Sequence, residues 1–489
     1  MSKERTTPTE RGAWLAVLVL AGGLFAAVVS TTVVSVALPS IGRSLHAGPS
    51  QLQWIVDAYV LVYASLLVAG GVLGDRRGRK GLFMLGVAVF GAGSLLTGLA
   101  TGTPLLLAGR VVQGIGPALL VPGSLTVIRA VFDDPRKRAV AIGLWSTSSG
   151  LALAVGPVLG GLIVDALGWR WVFLLNVPLS VLLVLLAARF IPRVPRVAAR
   201  SRFDWAGAAL STAAVAAVAY ATIEGRERGW GSTAIVAALA AGVAALTAFV
   251  LWERRRTEPL VDVRLFKRPA FTIANTAALV VFFSFVGAIV YFSVYFQQVQ
   301  GRSPIEAGLD VAPIGVAFAL AAQVSGRLVA RIGARVPMLL GLLLSGAATL
   351  GLLRLGTDTG IGAIWWDFAL AGAGIGLCLT PMTATAVAAV GAERAGMASA
   401  VHNALRQLGQ VLGVAVLGAL VYARTSAQGG GRRLGVAQQA AFVDGLHHAV
   451  WVCGLALLAA AVLAAFLPKV RPAAAPPAKA AVPVAAARG

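Results

Sequence analysis

The sequence predicts an all-α integral membrane protein of fourteen transmembrane helices, arranged as two six-helix halves with two extra helices between them. Three observations carry this reading: the composition, a count of apolar segments of membrane length, and the sorting of Lys and Arg between alternate connections. The 489 residues are 58% hydrophobic and 12% charged. Soluble domains hold roughly a quarter charged residues and under half apolar ones, so a water-soluble fold has nowhere to hide this much apolar surface. The net charge of +22 would suit a nucleic-acid partner, but the basic residues fall in short clusters between apolar runs. No single amphipathic face collects them, so no nucleic acid is expected and the partner is the lipid bilayer.

A helix needs about 20 apolar residues to cross about 30 Å of hydrocarbon. The first six candidates cover residues 13–39, 52–73, 81–100, 104–128, 139–165 and 171–190. Two more lie at 204–222 and 233–252, and the last six at 271–296, 308–330, 336–354, 361–390, 396–421 and 446–467. The first run follows Lys3, Arg5 and Arg11 in the manner of a signal peptide, but it continues to Pro39 without a small-residue cleavage site. It is expected to stay as an uncleaved span. Cys378 and Cys453 lie inside apolar runs with no second pair or histidine cluster nearby, so packing is expected of them, and neither a disulfide nor a metal site.

Positive residues near span ends stay in the cytoplasm, which gives an independent check. With both termini inside, 30 of the 41 Lys and Arg residues fall on the cytoplasmic side, 9 on the outer side, and Arg110 and Arg406 within spans. Losing one span would put several clusters on the wrong side. The chain is therefore expected to be a multi-pass protein of the plasma or inner membrane with both termini cytoplasmic, and nothing implies an oligomer.

The segment after span 2, Gly71 to Lys80, and the segment after span 10, Gly326 to Arg335, share the pattern GxLxxRxGx followed by a basic residue. Each follows the second span of a six-span block, as two homologous halves require, and two related halves around a central site are a recurring transporter design. The expected division is residues 1–200 for the N-terminal half, 201–257 for two inserted helices, 258–468 for the C-terminal half and 469–489 for an Ala/Pro-rich, disordered cytoplasmic tail.

On these residues the chain resembles the major facilitator superfamily, in its fourteen-span branch of drug:proton antiporters. Gly71, Leu73, Asp75, Arg76, Gly78, Arg79 and Lys80 are similar to the family's loop signature, in which the acid and arginines are thought to pair across the halves and govern conformational switching. A pure topology signal would account for the basic residues but not for Gly71, Gly78 and Asp75. Arg110, Gln113, Gly114 and Gly116 in span 4 match the family's RxxQGxG. A charge within a span usually faces a cavity or partner, although Arg110 alternatively snorkels to the surface. Gly156, Pro157, Gly160 and Gly161 in span 5, with Gly150 before them, resemble the antiporter GPxxGG. Glycines permit close helix contact and proline bends the helix, and the motif favours export over uptake. Gln53, Trp54, Asp57, Ala58 and Tyr59; Trp169, Arg170, Trp171, Phe173, Asn176 and Pro178; Glu258, Pro259, Leu260, Leu265 and Phe266; Gln297, Gln298, Gly301, Ser303, Pro304, Ala307 and Gly308; and Asn403, Arg406, Gln407 and Gly409 continue the likeness in order.

One departure stands out. Related antiporters often carry an aspartate in span 1 where this chain has Ser30, in the run Val29 to Pro39. Serine does not titrate near neutral pH, so proton coupling needs another carboxylate or is absent. Asp57, assisted by the positive charge of Arg110, is the candidate for proton coupling; Asp367 is a second candidate, for coupling or for substrate binding, and Asp310 lies nearer the outer end of its span. The expected gating residues are Gly71, Asp75, Arg76, Gly78, Arg79, Gly156 and Pro157. No Walker loop occurs, and the glycines at 372, 374 and 376 lie inside a span without βαβ context, so no nucleotide or other cofactor is expected. The four histidines, at 46, 402, 447 and 448, form no metalloenzyme pattern. The resemblance implies a secondary active exporter of amphipathic small molecules by alternating access in exchange for protons, not an enzyme. A dedicated exporter of one endogenous metabolite or peptide would share every motif, and a non-transporting membrane sensor is the third possibility.

Overall fold

A computed structural model describes residues 10–132, 134–193, 204–256, 259, 261–390, 395–423 and 434–468. The tail at 469–489, with Glu258 and Leu260, lies outside the described residues. The helices are α1 (Glu10–Leu45), α2 (Pro49–Arg77), α3 (Arg79–Gly98), α4 (Thr103–Val131), α5 (Pro135–Leu167), α6 (Trp171–Leu174), α7 (Asn176–Phe190), α8 (Trp205–Arg228), α9 (Thr233–Arg255), α10 (Pro269–Val294), α11 (Pro304–Ile332), α12 (Arg335–Gly351), α13 (Ile361–Ala388), α14 (Ala395–Val421) and α15 (Val436–Ala465). The four-residue α6 and α7 make one span, Trp171–Phe190.

Among the described residues 13 helices are long and apolar enough to cross a membrane. The fourteenth predicted span is α2, whose 29 residues reach about 43 Å at 1.5 Å per residue. Several helices outrun their predicted ends, because hydropathy reports only the part that meets lipid. α1 continues past Pro39 to Leu45. The predicted loop of Gly71 to Lys80 is corrected most: α2 stays helical to Arg77 and α3 begins at Arg79, leaving only Gly78 between them.

Local sequence sets the breaks. Pro304 opens α11 behind a capping box, with the Glu306 amide donating to Ser303 Oγ at 3.3 Å and the Ser303 amide to Glu306 Oε2 at 2.9 Å. Gly78 and Gly333, equivalent in the repeated motif, both adopt positive φ, 103° and 80°. Each closes its helix with its own amide, on Gly74 O and Val329 O, both at 3.0 Å. A side chain at either position would be strained, which is why glycine recurs there.

The packing repeats as the motif does. α1 lies on α5, α2 and α3 on α4, and α3 on α7; correspondingly α10 lies on α14, α11 and α12 on α13, and α12 on α15. The two sets meet through α5 on α11 and α2 on α14, which are themselves equivalent pairs. α8 and α9 pack on each other, and α8 touches α2 and α14. α9 leaves Val236, Leu239, Val243, Leu246 and Leu251 exposed, the outer surface expected of a helix facing lipid. Cys378 and Cys453 are buried and unpaired, as expected of packing residues.

Candidate functional site

Polar side chains inside an apolar bundle mark function more sharply than any pocket, because each must find a partner there. The first cluster joins α1, α3 and α4. Arg110 and Gln113, three residues apart on one face of α4, are both wholly buried. Gln113 Nε2 donates to Ser94 Oγ at 2.7 Å and Ser30 Oγ at 3.1 Å. Its Oε1 accepts from Arg110 Nη1 at 2.6 Å, and the same nitrogen reaches Ser30 Oγ at 3.4 Å. Arg110 Nε donates to Ile55 O at 2.8 Å, and its guanidinium stands 4.3 Å from the Tyr59 ring centre and 5.9 Å from that of Phe173. Arg110 therefore does not snorkel. Among the described residues its Nη2 has no acceptor, and the oxygen beside it at the end of α1's polar stretch is the neutral hydroxyl of Ser30.

Asp57 is also wholly buried, and neither carboxylate oxygen has a hydrogen-bond partner among the described residues. It forms no ion pair with Arg110. The reason is rotational: at about 100° per residue, Asp57 points roughly 160° away from Tyr59 around α2. Tyr59 turns toward α1 and α4, donating to Ala27 O at 2.7 Å. Asp57 shares its face with Gln53, one turn earlier. Gln53 Nε2 and the Tyr291 hydroxyl meet at Gly418 of α14, where an added Cβ would collide with both, and Asp57 lies within electrostatic range of that hydroxyl. Tyr291 also donates to Val414 O at 2.5 Å, so the group ties α2 to α10 and α14.

A second arginine stands in α14. Arg406 Nη1 donates to Asn403 Oδ1 at 3.3 Å, and the guanidinium lies 4.2 Å from the Phe282 ring centre. Its Nε has no acceptor among the described residues. His402, wholly buried beside it, pairs with Asn275 Oδ1 and Thr383 Oγ1, each at 3.1 Å. Asp367 is engaged elsewhere, in an ion pair of 2.5 Å with Arg354 at the junction of α12 and α13. Asp310 likewise meets Arg302 at 3.6 Å.

The glycines of α5 serve two neighbours. A Cβ on Gly156 would collide with Thr32 of α1, and one on Gly160 would sit 2.9 Å from Val33 O. A Cβ on Gly161 would sit 2.5 Å from Ile305 Cα of α11. The Ile305 amide donates to Asp165 Oδ2 at 3.0 Å, and farther along Gln323 Nε2 donates to Thr147 Oγ1 at 3.1 Å. A π-helical turn at Tyr295–Val299 lets Gln297 Nε2 reach Val36 O at 3.0 Å. A Cβ on Gly71 would meet Pro122 of α4 at an ordinary 3.5 Å. The side chains of Asp75 and Arg76 lie outside what is described. Sequence reasoning missed Tyr291, His402 and Asn275 as partners; only the i, i+4 spacing of Gln53 and Asp57 hinted at a shared polar face.

The sequence pattern of the Major Facilitator Superfamily matches residues 20–414. The chain belongs to this superfamily, and so is a multi-pass membrane transporter of small molecules rather than an enzyme. It is 38% identical over 407 residues to the multidrug resistance protein Stp of Mycobacterium tuberculosis, covering 83% of this chain and 75% of Stp. It is 36% identical to the methylenomycin A resistance protein of Streptomyces coelicolor, covering 82% and 84%. With the tetracenomycin C resistance and export protein of Streptomyces glaucescens it shares 34% identity, covering 84% and 76%. Its fold is similar to that of a bacterial homologue of the human lysosomal transporter Spinster, crystallised inward-facing and unoccupied, with a TM-score of 0.68 at 18% identity over 94% of this chain and 97% of that one.

Proposed function

We propose that this chain is a secondary active exporter of amphipathic small molecules, drugs or antibiotics among them, which works by alternating access in exchange for protons. Residues 1–200 and 258–468 act as the two moving halves, residues 201–257 are an inserted helix pair, and the termini and the 469–489 tail are cytoplasmic. The observation that supports this best is a cluster of contacts between the halves at one end of the bundle. Gln297 on Val36, Ile305 on Asp165, and Tyr291 with Gln53 all lie at the end where α1 and α5 finish and α2 and α11 begin. By the sorting of basic residues that end is the outer one. Such contacts must break for the cavity to open outward, and Pro157 and Gly161 form the surface on which α5 parts from α11, while Gly156 seats α5 on α1.

Asp57 carries the proton in this reading. A carboxylate buried without donors is costly in its charged form, and Asp57 sits on the Gln53–Tyr291 junction that opening disrupts, so hydration and protonation change together there. Arg110 acts at a distance, through the field of its positive charge. Gly71, Asp75, Arg76, Gly78 and Arg79 gate the opposite, cytoplasmic end. Because two relatives are named for resistance to a single antibiotic each, a dedicated exporter is the second reading; a panel of unrelated substrates separates the two.

The test is accumulation of a fluorescent amphiphile in cells lacking their own pumps, with and without a protonophore. Expression of the chain should lower accumulation, and the protonophore should restore it. Asp57→Asn should abolish protonophore-sensitive efflux while leaving substrate binding within a few-fold. Unchanged accumulation on expression would reject export. Undiminished, protonophore-sensitive efflux by Asp57→Asn would move the proton to another group, with Asp367 next.

A further inference from the structure

Arg406 occupies the middle of α14, about 16 Å from the helix start at 1.5 Å per residue, and is only partly buried. Its described partners are all neutral: the Asn403 amide oxygen, the Phe282 ring and, within electrostatic range, Tyr63. One guanidinium nitrogen has no acceptor among the described residues. Gln407 and Gln410 follow on adjoining positions of α14 and bond each other at 2.5 Å.

Among the described residues no acid is paired with Arg406, and the acids deeper in the spans are engaged elsewhere or buried apart from it. Asp367 is held by Arg354, Asp310 by Arg302, and Glu224 by Arg228 and Trp54. Asp57 is wholly buried on α2, about 1.7 turns from Tyr63. Arg110, the other arginine placed within a predicted span, has the same sign. The interior facing α14 thus offers a forked, unneutralised cation flanked by aromatic rings and amides. That arrangement attracts an anion and repels a cationic amphiphile.

We propose that the preferred substrates are acidic amphiphiles, whose carboxylate docks on the partly buried Arg406 guanidinium while their apolar body lies against Tyr63, with the buried Phe282 ring as the shelf that holds the guanidinium from behind. This rests on the export reading above and narrows its substrate class. Two xanthene dyes of similar skeleton and opposite charge, fluorescein and rhodamine 6G, test it at pH 7.5. Binding to the purified full chain in lipid nanodiscs is followed by fluorescence polarisation, and efflux of each dye is followed in pump-deficient cells. Wild type should bind fluorescein at least tenfold more tightly than rhodamine 6G. Arg406→Gln should shift that preference at least tenfold toward the cation, and Arg406→Lys, which keeps the charge, should retain most of it. Equal or tighter binding of rhodamine 6G by wild type overturns the substrate class. A fluorescein affinity in Arg406→Gln equal to wild type overturns the role of Arg406. Arg406-dependent fluorescein binding without efflux of either dye leaves the binding inference standing and rejects export instead.

Discussion

Ser30 Oγ lies 3.4 Å from Arg110 Nη1, so the serine of span 1 sits against the buried guanidinium of span 4. The charge of Arg110 is met instead by an amide oxygen, a backbone carbonyl and the face of Tyr59. The cation–π contact is worth about 2 kcal/mol when desolvated.

Placing an acid at this position should complete an ion pair. Ser30→Asp is expected to stabilise the protein by about 1 to 3 kcal/mol through a charge-assisted bond, read as a higher melting temperature in detergent. In an Arg110→Met background the same change should destabilise, because a lone buried carboxylate has no counter-ion. If Ser30→Asp lowers the melting temperature equally in both backgrounds, the two residues are not coupled.

The Gly78 turn separates conformational need from mere small size. Gly78→Ala forces a side chain to φ 103° and should cost about 1 to 3 kcal/mol. Gly81→Ala, with nothing within 4 Å of the added Cβ, should be neutral or slightly stabilising in its helix. Equal melting of the two variants would remove the strain argument. On the same segment Asp75→Asn should insert normally yet slow efflux; full efflux at equal expression would leave the segment a topology signal only.

Gly161→Val should leave the fold intact but hold α5 away from α11, since even a Cβ there meets Ile305 Cα at 2.5 Å. The expected readout is loss of efflux by tenfold or more, with increased labelling of a cysteine placed at Ile305 from the outside. Retained efflux with unchanged labelling would show that this contact does not gate the outer end.

Single cysteines at Ser2 and Ser232 should differ in sealed cells. Only the second should react with an impermeant thiol reagent, because the basic residues divide 30 to 9 in favour of the side that holds the N-terminus. Equal labelling of both would refute the fourteen-span topology.

Sequence alone determined the all-helical membrane architecture, the order of its spans, the repeat, and the superfamily. The reason is that membrane thickness imposes a length on each apolar run, and charge sorting imposes an orientation. It also marked Arg110, Gln113 and the α5 glycines, because a charge or a GP–GG pattern within an apolar run is conspicuous without any fold. The tertiary structure decided the pairings. A helix that is apolar nearly all round carries little record of its rotation, so sequence could not tell that Asp57 turns from Arg110 toward Tyr291, 234 positions along the chain. Nor could it tell that Ser30 faces Arg110, or that Gln297 reaches Val36 across 261 positions. Those contacts depend on how helices far apart in sequence are rotated and brought together, which periodicity within any one of them does not encode.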